Sequence, residues 1–223
     1  MRKAGKNQQR WRRLLVWLHV LTSVSWMAQA LALLVLLATA EAADDQAVRV
    51  AATTMAERLD MVLLAAMAST SAMTGIVLSA STAWGFFRHR WVLVKFAITL
   101  IQLYIGIFVL SGNLSDAVAA AETGAASPST ILLGPAVMAS AIAFQAWLSV
   151  AKPWGRGPTA GRPRPGTAPT WVFVMACAAV AGEVTITAIV GNPMPLLSLV
   201  TVLVAVGRRS AASSVDSNAT APA

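Results

Sequence analysis

Long apolar runs alternate along this chain with short polar stretches, and each run is about the length a helix needs to cross the hydrocarbon of a bilayer. Leu14 to Thr39 is the first, followed by Met61 to Ser81, Trp91 to Leu110, Ile131 to Val150 and Trp171 to Val190. After the turn signal Gly191-Asn192-Pro193-Met194-Pro195, Leu196 to Gly207 adds only about a dozen apolar residues, nearer a short or re-entrant segment than a standard span. Counted from Pro193, that last segment reaches about 22 Å as a helix, enough for a locally thinned bilayer. The pattern predicts an all-α, polytopic transmembrane helix bundle of six spans, the last one short.

The charges orient the bundle. All but two of the 17 Lys and Arg fall in segments that alternation puts on one side: residues 1–13, the 82–95 turn, the 151–170 linker and Arg208-Arg209. Seven of the nine acids fall in 41–60 and 111–130, on the other side, where only Arg49 and Arg58 are basic. Under the positive-inside rule both termini are expected in the cytoplasm, and 41–60 reads as an external acidic loop. Trp11, Trp84, Trp91, Trp154 and Trp171 cluster at the same inner boundary, where indole rings prefer to sit. The chain divides into a basic cytoplasmic N-terminus (1–13), a four-helix membrane core (14–157), a Pro/Gly-rich cytoplasmic linker (158–170), a C-terminal helical hairpin (171–207) and a disordered tail (208–223).

Composition agrees. With 57% hydrophobic and 12% charged residues and a mean hydropathy of +0.67, the chain is too apolar for a soluble domain of this size. The net charge of +8 does not point to nucleic acid, because the bases abut apolar runs instead of studding a folded surface. The basic start with Ala38-Thr39-Ala40 imitates a secretory signal, but the apolar stretch far exceeds the roughly 7 to 15 residues of a signal core. The single cysteine, Cys177, lies in an apolar run and reads as packing, with no partner for a disulfide, a redox pair or a zinc site.

Three places carry candidate chemistry. His19 shares a helix face with Thr22, Ser23 and Trp26, a polar stripe that must face protein instead of lipid. Its imidazole could ligate haem b or copper or relay protons; the plainer reading is a neutral histidine bonded to a neighbouring helix. His89 lies in the turn Trp84-Gly85-Phe86-Phe87-Arg88-His89-Arg90-Trp91 and is a candidate second ligand or lipid-headgroup contact. In that turn Trp84, Arg88, Arg90, Trp91 and Lys95 read as interfacial anchors, the Arg pair attracting anionic lipid and Lys95 snorkelling from inside the helix. Glu183 falls near mid-bilayer, where an isolated carboxylate is expensive, so it should be protonated or paired. It is either a proton- or cation-coupled site, with Thr185, Thr187, Gln102 and Gln145 as candidate neighbours, or a hydrogen-bonded bridge between helices aided by small Ala178 and Gly182. Ser71, Gly75 and Ser79, four residues apart, predict close helix packing on the second span.

The first-helix residues Leu18-His19-Val20, Ser23 and Trp26, with Thr74-Gly75, the stretch from Trp84 to Lys95, Leu148-Ser149-Val150 and Lys152-Pro153-Trp154-Gly155, resemble a family of bacterial four-helix integral membrane proteins of unknown function. The resemblance covers about residues 12 to 157 and implies a four-helix core, which the linker and last two helices extend. The first helix alone is also distantly similar to copper-resistance D-type membrane proteins, although the nine Met are scattered instead of clustered for copper capture.

No Ser/His/Asp set, phosphate loop, HExxH or paired carboxylates occur, so no enzymatic activity is expected. The reading is a multi-pass protein of the bacterial cytoplasmic membrane, a non-enzymatic accessory or small transport-related component. Its partners would be the lipid bilayer and either another membrane protein or further copies of itself. The alternatives are a haem- or copper-binding protein using His19, with His89, and a proton-coupled transporter using Glu183.

Overall fold

The structure is a computed structural model that describes residues 2–82, 85–125, 129–155, 157 and 166–219. It is all-α: α1 Arg2–Ala42, α2 Gln46–Leu59, α3 Ala65–Ser81, α4 Arg90–Ile105, α5 Ser111–Thr123, α6 Leu133–Ala151, α7 Thr170–Val190 and α8 Leu196–Ala219. Five helical stretches are long and apolar enough to cross a membrane: Gly5–Ala42, Gln46–Ser81, Arg90–Thr123, Thr130–Ala151 and Thr170–Val190. These match the five long apolar runs.

The polar connections differ from expectation. Residues 46–59, read as part of an external loop, form α2, which joins α3 through a π turn at Asp60–Leu64 into one 36-residue helical stretch. Likewise α5 continues α4 through a π turn at Gly106–Leu110. Hydropathy marks only where a helix leaves hydrocarbon, whereas caps decide where it stops. Asp45 accepts from Ala47 N–H at 2.8 Å to start α2, and Gly124, at φ +73°, ends α5. The two extensions pack against each other, with the Gln46 amide donating to Glu122 O at 3.1 Å and Ser115 Oγ to Glu57 Oε1 at 2.9 Å. At the other terminus α8 runs on to Ala219, so the stretch read as a disordered tail is helical to that point. The Pro/Gly-rich linker lies outside the described residues at 156 and 158–165, as does Trp84.

α1 is the central element and packs on α2, α3, α6 and α7. Its contact with α3 is close because of Gly75: a β-carbon there would sit 3.0 Å from His19 Cε1, as the Ser71/Gly75/Ser79 pattern predicts. Apolar packing collects at both ends. Leu15, Met73, Val77, Phe173, Ala176 and Ala205 join α1, α3, α7 and α8 at the end that carries Arg12 and Arg13. Leu33, Leu37, Ala56 and Leu114 join α1, α2 and α5 at the end that carries the acids. We call these the basic and acidic ends. Cys177 is a free, buried member of the first cluster.

α8 is held at both of its levels by charged side chains. Near its start, Ser198 N–H donates to Glu183 Oε2 at 2.8 Å, and further along Arg209 donates to Ala80 O at 2.8 Å and Thr82 O at 3.4 Å. Glu183 thus answers a free N–H in the first turn of α8, and Arg209 the open carbonyls that end α3. Beside the first attachment, Gly182 lets Leu197 approach to 2.9 Å of where its β-carbon would be. Ala178, expected on the same small face, is exposed.

Candidate functional site

Two cavities enter the bundle from opposite ends and meet at Trp26. The larger, about 730 Å³, lies between α1, α3, α4 and α6 and runs from Arg12 and Arg13 at the basic end to Trp26. The smaller, about 390 Å³, reaches from the acidic end, where Asp60, Ser111 and Asn113 line it, to the same tryptophan. Trp26 is 5% exposed and contributes to both walls.

The partition continues across α4 and α6. Gln102, which lines the acidic-end cavity, and Gln145, which lines the basic-end one, are both buried and bonded to each other, Gln145 Nε2 donating to Gln102 Oε1 at 2.5 Å. Thr99 Oγ1 donates to Gln145 Oε1 at 2.9 Å and Gln102 Nε2 to Met138 O at 3.1 Å. These bonds use an acceptor and a donor of each amide, as burial in a dry interface requires. The sequence pattern offers the two glutamines as neighbours of Glu183; the structure instead pairs them with each other.

His19 is built into the wall of the basic-end cavity. Its Nδ1 lies 3.1 Å from Ser71 O and 3.0 Å from Thr74 Oγ1. A carbonyl can only accept, so Nδ1 carries the proton and, in the neutral ring, Nε2 keeps the lone pair. Ser23 donates to His19 O at 2.7 Å and its hydroxyl lies 2.7 Å from that of Ser71, so the polar stripe of α1 faces α3, as expected. Lys95, read from the sequence as an anchor, donates across to Ser149 Oγ at 2.5 Å and lines the same cavity as His19. His89 does not join them in that lining; it precedes α4, its carbonyl accepting from Val92 and Leu93, with its ring 6.2 Å from that of Trp91. Among the described residues no group of three His, Cys, Asp or Glu is placed to hold a metal ion.

Arg88 and Arg90 stand in the turn that brings α3 to α4, and that turn is strapped from outside the helices. Gly157 N–H donates to Arg88 O at 2.7 Å, and a β-carbon at Gly157 would fall 2.3 Å from Phe87 O, so only glycine fits. Farther along the chain Ala168 N–H donates to Ser81 O at 3.0 Å while Ala168 O accepts from Gln8 at 2.6 Å.

Glu183, 1% exposed, is paired, as its position demanded. One carboxylate oxygen accepts from the Ser69 hydroxyl and the other from Ser198 N–H. Ser69 also lines the acidic-end cavity, so a single hydroxyl separates Glu183 from that space. Of its expected neighbours, Thr185 turns away and bonds Ala181 O at 2.7 Å, and Thr187, one turn on from Glu183, is buried with its hydroxyl unpartnered, as is the Ser198 hydroxyl.

Sequence reasoning does not find Ser69, Ser149, Asp60 or the π turns. Asp60 accepts from Ser111 at 3.1 Å, and residues of both π turns, including Leu64 and Gly106, wall the acidic-end cavity. Such turns widen a helix locally and recur at functional sites. No protein-family model, curated protein or solved structure matches the chain.

Proposed function

We propose that this is a non-enzymatic, six-pass protein of the bacterial cytoplasmic membrane that serves as a small transport-related component, with its basic end and both termini in the cytoplasm. One observation carries the reading: two cavities from opposite ends meet at a buried layer formed by Trp26, packed with Ala68 and Ile142, and by the Gln102–Gln145 pair. A path blocked at a narrow polar and aromatic layer is what a molecule-conducting bundle needs in its resting state. A purely structural bundle would gain more from filling such space, because lost packing is costly. Arg209, level with the end of α3, supports a full sixth crossing by α8.

Accessibility tests it. In a Cys177→Ala background, Ala146→Cys lines the basic-end cavity and Asn113→Cys the acidic-end one. An impermeant maleimide should label Ala146→Cys only in inside-out vesicles and Asn113→Cys only in right-side-out vesicles. Labelling of both from one side, or of neither, would overturn the reading.

A second reading, proton coupling at Glu183, is favoured by the Ser69 link to the acidic-end cavity and by the unpartnered Thr187 and Ser198 hydroxyls on adjoining turns. Glu183→Gln keeps the side-chain shape while removing the proton-binding carboxylate. Coupled flux in vesicles should then disappear with little change in thermal stability; unchanged flux would exclude it.

A further inference from the structure

We infer that the basic-end cavity holds one anionic amphiphile from the cytoplasmic leaflet, its phosphate or carboxylate head seated at Lys95 and its apolar body lying along α1. The inference rests on the transport reading and names the class of molecule that enters this space.

Charge is the first ground. Among the described residues the cavity's ionisable lining side chains are Arg12, Arg13, His19 and Lys95, with no acidic one. Lys95 is the deepest of the Lys and Arg in the lining, and among the described residues its hydrogen bond is to a neutral hydroxyl, that of Ser149. An ammonium withdrawn from water without a carboxylate keeps unsatisfied electrostatic demand, which an oxyanion meets through short charge-assisted bonds. Thr99 and Ser149 give their hydroxyl protons to Gln145, so in this part of the lining the donor left for a phosphate or carboxylate head is the Lys95 ammonium.

Shape is the second. From Arg12 to Trp26 the cavity follows fifteen residues of α1, about 21 Å of helix, which is long for a compact inorganic anion and suited to a chain. Its walls also carry Val16, Ile76, Val92, Phe96 and Ile142, an apolar surface that a hydrophilic anion would leave unused.

Access is the third. Val20 and Val24 on α1 and Val150 on α6 line the cavity and are exposed, Val150 by 83%, so its flank opens sideways where lipid chains would lie. α4 forms the outer wall and is the least enclosed of the long helices, with only Val92 and Gln102 buried. A bilayer-borne ligand can therefore enter without crossing the polar mouth, its head guided by Arg12 and Arg13.

The test uses the full chain in a neutral detergent, with native mass spectrometry reading the bound mass. Phosphatidylglycerol, phosphatidylcholine with the same chains, and oleate are added in turn. One phosphatidylglycerol or one oleate should be retained about tenfold over phosphatidylcholine, and the preferred one of the two identifies a phospholipid or a free fatty acid as the source. Lys95→Gln should bring retention down to the phosphatidylcholine level, and Lys95→Arg, which keeps the charge, should restore it and show that the bundle is folded. Equal retention of phosphatidylglycerol and phosphatidylcholine, or no effect of Lys95→Gln, would overturn the proposal. So would full displacement by inorganic phosphate, since the apolar body would then contribute nothing. Anion selection in a protein whose Ala146→Cys and Asn113→Cys do not label from opposite sides would sink the transport reading and leave the lipid site standing. The converse, correct labelling with no anion selection, would do the reverse.

Discussion

Gln102 and Gln145 lie on helices whose other fully buried residues are apolar, and each amide brings two donors and a carbonyl that need partners away from water. They satisfy one another, with Thr99 and Met138 O completing the set. Removing one member leaves its partner's polar atoms buried and unpaired, whereas removing both leaves two apolar side chains in contact. Gln102→Leu and Gln145→Leu alone should each lower stability by about 2 kcal/mol, and the double variant should cost less than their sum. Interhelical hydrogen bonds within bilayers average only about 0.6 kcal/mol, with a maximum near 1.7. The coupling read from a four-protein cycle of detergent unfolding should thus be about 1 kcal/mol. Strict additivity would mean that the pair is not formed. The same pair is part of the layer between the cavities, so the double variant should also weaken their separation. Glu183 illustrates how far a single residue can be read in advance: its apolar surroundings in sequence require a partner, but not which one. A backbone N–H fifteen residues on and a hydroxyl on another helix answer it, and neither has a signature in one dimension.

At the scale of elements, the helices divide by how they are held. α1 and α3 interlock through Gly75 and the His19–Ser71–Ser23 bonds, a joint made of small residues and hydroxyls. α8 has a shorter apolar face and relies on its two charged attachments. Arg209 fills the end of α3, where carbonyls have no intrahelical donor, and a cation there also meets the negative end of the helix dipole. Arg209→Ala should loosen the distal half of α8 by about 1.5 kcal/mol, seen as roughly tenfold faster amide hydrogen exchange there. Exchange in α1 should be unchanged. Arg209→Lys should recover part of the loss, since a single nitrogen, Nη1, makes both bonds and an ammonium also donates to carbonyls, though from a shorter side chain. Equal protection in wild type and Arg209→Ala would mean that apolar packing of Leu197 and Ala205 alone holds the helix. The linker has a related arrangement, with its two described ends bonded to the α3–α4 turn and to Ser81, so the segment that joins α6 to α7 is tied to the basic end of the bundle.

Across the whole molecule, the apolar runs were legible because each backbone group in hydrocarbon must bond within its own helix, which makes length and hydropathy sufficient. The extensions α2 and α5 were not, since the Ala-rich, acidic stretches that form them are stabilised by caps and by each other outside the apolar region. The cavities were less legible still: His19 and Lys95 stood out individually, but their shared lining depends on how far α4 stands from α1. Charge distribution is the one global property that bears on orientation, and the end that gathers Arg12, Arg13, Arg88 and Arg90 also holds Arg209. Arg209 bonds the carbonyls of Ala80 and Thr82, so the apolar part of α8 has returned to the level from which α3 departs toward α4. Six crossings follow if α3 ends at the cytoplasmic face. A green fluorescent protein fused after Gly207 should therefore fluoresce, as should one fused after Lys152, whereas an exported phosphatase should be active only when joined near Ala43 or Ala125. A phosphatase active after Gly207 would leave five crossings and put Arg208 and Arg209 outside. It would also separate Arg209 from the Ala80 and Thr82 carbonyls by the thickness of the membrane, so that one fusion tests the topology and the packing of α8 together.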